Sequence, residues 1–145
     1  MTHEDEGNYG GKHPSGTQLD ERLAGEIRKR IIDGRVRCAT AHAIAEECGV
    51  TPADVGVAID LMEVRIAECQ NGLFGYGEKK RIVRPLDSVP EELSDAIAKT
   101  AKEGRLTCAE SWSIARRLGI PKMTVSAACE TMGVKITYCQ LGAFA

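Results

Sequence analysis

Six cysteines are the residues whose chemistry asks first for an explanation, and four of them fall into a repeating pattern. Cys69-Gln70-Asn71-Gly72-Leu73-Phe74 and Cys139-Gln140-Leu141-Gly142-Ala143-Phe144 share Cys, Gln, Gly and Phe, while their other positions differ. Cys38 and Cys108 stand at matching places upstream; Cys48 and Cys129 have no counterpart. Three uses stay open for Cys38, Cys69, Cys108 and Cys139. They can be small buried hydrophobes beside a glycine turn and a packed Phe. They can be ligands of zinc or an iron–sulfur cluster, although no Cys-x-x-Cys places two ligands on one tight loop. They can be a thiol pair that senses redox state by forming a disulfide. No other constellation suggests chemistry. Nucleophile elbows, phosphate loops, paired histidines and dinucleotide-binding glycines are all missing, so the chain is expected to be no enzyme and to need no cofactor. Gly72-Leu73-Phe74-Gly75-Tyr76-Gly77 is Gly-rich, but no helix opening on Lys-Ser/Thr follows it.

The elements that would hold these residues come in two copies. Residues 26–74 align without a gap on 96–144, an offset of 70, with 18 identities in 49 positions. That is the strongest signal in the chain. In copy one Asp20 can cap a helix with Leu23, Ile27 and Ile31 on one face, ended by Gly34. Arg35 to Cys38 alternates like a brief strand, and a second helix carries Ile44 and Ala45 to Gly49. Thr51, Pro52 and Asp54 offer a cap, a first-turn proline and a capping partner. A third helix then buries Val55, Ala58, Ile59 and Met62 and exposes Ala53, Asp54, Gly56, Val57 and Asp60. A strand from Val64, the tight turn Asn71-Gly72 and a return over Arg81 to Arg84 complete a hairpin. Residues 85–90 read as a linker, with Ser88 and Glu91 as a capping box for the first helix of copy two. The organisation expected is a flexible tail (1–18) whose His3 and His13 do nothing structural, repeat 1 (19–84), the linker, and repeat 2 (91–145) with a truncated wing.

Composition narrows the functions. Net charge is −2; Glu4, Asp5, Glu6 and Lys12 account for all of it, so the rest balances to zero. A dedicated nucleic-acid binder usually has a basic excess, and here only a local patch could serve. No stretch is apolar enough for a membrane span, and the acidic start does not look like an export signal, so the expected place is the cytoplasm, with reduced thiols.

Gly104-Arg-Leu-Thr-Cys-Ala-Glu-Ser-Trp-Ser-Ile-Ala-Arg-Arg-Leu-Gly-Ile-Pro121 and its counterpart Gly34 to Pro52 resemble helix-turn-helix regulators. The order helix, strand, helix, turn, helix, hairpin is similar to a winged helix-turn-helix domain, over most of residues 20–145. The fold class implied is mainly α with short β-hairpins (α+β), in two tandem winged-helix-like repeats. The resemblance implies a DNA-binding transcription regulator whose third helix enters the major groove while the wing touches the backbone. Carried onto this chain, it puts Lys122, Thr124 and Ser126 near bases and Lys79, Lys80, Arg81, Arg116 and Arg117 on phosphates. Copy one offers no base reader, which leaves a protein-docking module as the alternative. Duplex DNA or a protein is thus the expected partner, no membrane is, and a homodimer stays open.

Overall fold

The computed structural model describes residues 8–145, which form two compact units. Asp20 starts the first helix as anticipated: its carboxylate accepts from the backbone N–H groups of Arg22 and Leu23, two donors a helix start leaves unpaired. Helix α1 (Glu21–Arg28) buries Leu23, Ala24 and Ile27. It stops before Gly34, because Ile32-Asp33-Gly34-Arg35 forms a two-residue hairpin instead. Ile32 and Arg35 exchange backbone hydrogen bonds of 2.9 and 3.0 Å. Asp33 (φ 53) and Gly34 (φ 73) both take the left-handed conformation that this tight turn demands.

Strand β1 (Arg35–Arg37) leads directly into α2 (Cys38–Cys48), which ends at Gly49. Helix α3 (Pro52–Leu61) opens on the full Thr51–Asp54 capping box, as its sequence indicates. Strand β2 (Arg65–Ala67) then pairs with β1 in parallel, with Arg35 against Arg65, Val36 against Ile66 and Arg37 against Ala67. The central residue of each strand is buried.

The second unit repeats this order with α4 (Glu91–Thr100), β3 (Arg105–Thr107), α5 (Cys108–Leu118), α6 (Lys122–Met132) and β4 (Lys135–Thr137). β3 and β4 are again parallel. Thr107 and Glu110 make a capping box at α5 that was not anticipated, whereas Ser88 makes none at α4, where Pro90 is the N-cap residue. The protein is thus mainly α with short strands.

Two expectations are corrected here. The wing hairpins do not form: neither Asn71-Gly72 nor residues 81–84 belong to a strand. The strand after the third helix instead reaches the one before the second across a helical crossover, the connection a parallel pair needs. Residues 81–84 do return to the turn, since the Gly72 carbonyl accepts from the N–H groups of Ile82 (2.9 Å) and Val83 (3.1 Å). No ladder follows.

The compact units are also cut differently from the repeats. One comprises Met1–Cys69 with Gln140–Phe144, and the other Gln70–Cys139 with Ala145. In the first, the start of the chain is docked where it is described, rather than a loose tail. Tyr9 is buried in a short 3-10 turn (Tyr9–Lys12), and the Glu63 carboxylate accepts from the backbone N–H groups of Tyr9 (2.6 Å) and Gly10 (2.8 Å). His3 lies outside the described residues.

Candidate nucleic-acid interface

In the second unit α5 and α6 meet at an elbow of three residues, Gly119-Ile120-Pro121, with Gly119 in the left-handed conformation (φ 67). A three- or four-residue turn containing glycine is the joint of a helix-turn-helix. Arg116 and Arg117 are exposed on the last turn of α5, where cations also complement the helix C-terminus. Lys122 opens α6 with its ammonium 4.6 Å from the Trp112 ring centroid, close enough for the ring face to hold the cation beside the elbow. Thr124 is half-buried. These four residues are brought together by one joint.

The other anticipated contacts stand apart from it. Ser126 is only 1% exposed, and its hydroxyl is buried with no hydrogen-bond partner in the described structure, so it is withdrawn from any base edge. Burial is general along α6, where Val125 through Cys129 are all buried. Five consecutive buried residues go more than once round the axis, so the middle of the helix has no face to lay in a groove. Lys79 and Lys80 are exposed in the 77–84 segment, and Arg81 beside them is ion-paired with Glu130. Glu130 lies eight residues beyond Lys122, about 12 Å along the helix axis. The segment is therefore anchored at the end of α6 remote from the elbow.

Helix α3 of the first unit departs further from the exposed helix read in the sequence. Ala53 and Asp54 are exposed and Val57 half so, but Gly56 and Asp60 are buried. A Cβ on Gly56 would lie 1.9 Å from the Leu141 carbonyl oxygen, so the 140–144 segment runs directly over the helix backbone. Asp60 accepts on Oδ2 from His13 Nε2 (2.8 Å) and Lys12 Nζ (3.0 Å), while Oδ1 is buried with no partner in the described structure. Lys12 also donates to the Gly142 carbonyl (3.1 Å). His13 thus has a structural partner after all: with Lys12 it satisfies one oxygen of a carboxylate that α3 buries, where an unpaired polar group would be costly.

Position by position, the two elbows carry opposite charge. Arg116, Arg117 and Lys122 correspond to Glu46, Glu47 and Pro52, and Thr124 corresponds to Asp54. Glu47 is joined to Arg30 (2.5 Å), and that hydrogen bond holds the guanidinium above its ordinary pKa. The contrast was readable from the repeat alignment alone. No family model, curated protein or solved structure matches this chain.

Sequence reasoning also missed Asn71, which is 1% exposed in the second unit. Its Oδ1 accepts from Trp112 Nε1 (3.0 Å), and its Nδ2 donates to Cys108 Sγ (3.5 Å). Asn71 therefore fixes the ring that carries Lys122, although a local turn signal was all the sequence offered. All six cysteines are thiols. Among the described residues no group of three or more His, Cys, Asp or Glu is placed to hold a metal ion. Burial, reinforced by Glu130, pushes the Cys129 thiol up to about 11 from 9.0. A raised folded-state value stabilises below the unfolded pKa and loses that stabilisation as pH rises through the folded one. Stability should fall between pH 9 and 11, and Cys129→Ala should flatten that fall in urea titrations. An equally steep fall in the variant would reject the assignment.

Proposed function

We propose that the protein is a non-catalytic, DNA-contacting regulator in which the second unit meets nucleic acid through its α5–α6 elbow. The observation that carries this reading is the gathering of Arg116, Arg117 and Lys122 at a helix-turn-helix joint in a chain whose net charge is −2. Three cations on one corner suit phosphates, and phosphate contacts supply affinity that depends on salt. Burial of Ser126 and its neighbours on α6 leaves little to read base edges, so binding would discriminate weakly between sequences. In this reading each unit is a relative of the winged helix in which a parallel strand pair stands in place of the wing. Six thiols fit a role in the reducing cytoplasm, and among the described residues no helix is long and apolar enough to cross a membrane.

Binding of a labelled duplex, followed by fluorescence anisotropy at about 50 and about 200 mM salt, tests this directly. Affinity should drop steeply across that range, and Arg116→Gln with Arg117→Gln should weaken it by roughly tenfold or more while lowering the melting temperature by only a few degrees. Wild-type protein that ignores duplex at the lower salt would rule the reading out. The competing one, a protein-docking module, is favoured by the acidic elbow Glu46, Glu47 and Asp54, which suits a basic protein surface and repels phosphate.

A further inference from the structure

The strand pairs carry a charge arrangement that their own stability does not explain. In the second unit Lys102 and Arg105 exchange two backbone hydrogen bonds of 2.9 Å across a tight turn. Arg105 is also in register with Lys135, whose N–H donates to the Gly104 carbonyl (2.9 Å). Lys102, Arg105 and Lys135 therefore occupy one rung across three adjacent segments, and all three are exposed. Directly paired strand residues project from the same face about 5 Å apart, and like charges so placed repel. The turn between Lys102 and Arg105 carries one carboxylate, Glu103.

The first unit repeats the rung with Ile32, Arg35 and Arg65. Arg35 and Arg105 are identical and Arg65 is conservatively matched by Lys135, although most paired positions have diverged. The third cation belongs only to the unit whose elbow is also basic. Rung and elbow lie at opposite ends of α5, an 11-residue helix spanning about 16 Å. One duplex can meet two separate phosphates across that span.

We infer that Lys102, Arg105 and Lys135 form a second phosphate-contact site that receives the backbone of a nucleic acid. Three donors on a hydrogen-bonded frame match a tetrahedral phosphate oxygen set, and the repulsion among them is relieved when the anion arrives. The inference rests on the nucleic-acid reading above and extends it from one contact corner to two.

The test is the salt slope of duplex binding for Lys102→Gln/Arg105→Gln/Lys135→Gln, measured on a random-sequence duplex of about 24 base pairs. Each phosphate neutralised contributes about 0.9 to the slope of log K against log salt, so the triple variant, which loses one phosphate site, should lose about 0.9. Affinity should fall by a similar factor for every duplex sequence, and the melting temperature should hold or rise as the like charges disappear. Lys102→Gln alone, at the turn, should weaken binding in the same direction by a smaller factor and guards against a folding defect in the triple variant. A triple variant with wild-type slope and affinity would overturn the inference. If the Arg116/Arg117 variant still loses binding in that case, the elbow reading survives and only the rung fails. If wild-type protein does not bind duplex at all, both fall together.

Discussion

Gly56→Ala should destabilise the protein by about 2–3 kcal/mol and lower its melting temperature by roughly 5–10 °C. Helix propensity alone argues for the opposite sign, since alanine in a helix interior is favoured over glycine by about 0.5–1 kcal/mol. Steric contact decides. The added methyl would sit 1.9 Å from the Leu141 carbonyl oxygen and 2.7 Å from its carbon, far inside van der Waals contact, and both atoms are backbone. A flexible side chain could swing away, but here the whole 140–144 segment must lift, taking Leu141 and Ala143 out of their buried places. Gly25→Ala in α1 is the matched control, because nothing lies within 4 Å of a Cβ there. That variant should gain a few tenths of a kcal/mol up to about 1. Parallel thermal melts decide the question: if Gly56→Ala melts at or above wild type, the segment does not lie on α3.

These two glycines show what was legible in the sequence. Helix positions could be read because their signals are local: the Asp20 cap, the Thr51–Asp54 box and Gly49 all do in the structure what their residue types indicate. α1 was drawn too long because Ile31 continues its periodicity; Asp33-Gly34, the stronger hairpin signal, was passed over. Strands of three residues carry almost no alternation, so parallel pairing of β1 with β2 could not be told from a hairpin. Gly56 itself was a usable clue, because an interior helix glycine costs stability and often marks a close backbone approach. What approaches it lies more than eighty residues away in the chain, and no local pattern encodes that. For the site, the basic elbow was legible as residue types, but the withdrawal of Ser126 was not. Its neighbours Val125, Ala127, Ala128 and Cys129 are small apolar residues, a composition that argues for burial of the middle of the helix.

Removing Gln140–Ala145 should have the larger effect, and its location matters more than its size. By repeat order these residues end copy two, so a reading from sequence alone places the damage in residues 91–137. All but Ala145 belong to the other compact unit. Truncation strips Leu141 and Ala143, 2% and 3% exposed, from the first unit and deprives Lys12 of the Gly142 carbonyl it binds at 3.1 Å. It also uncovers the α3 backbone at Gly56. Burying one leucine contributes about 1.5–3 kcal/mol, and with the remaining losses the cost should reach about 3–5 kcal/mol. Amide hydrogen exchange should therefore speed up first in Pro52–Leu61 and in the Tyr9–Lys12 turn that Glu63 and Asp60 hold against that helix. Loss of protection confined to Glu91–Thr100 and Lys122–Met132 would mean that the tail completes its own repeat, and the division into units would have to be redrawn. Protection lost first in α3 would identify residues 140–144 as part of the first unit's core, so that the acidic-elbow unit draws on residues more than seventy positions beyond Cys69, where its own run of chain stops.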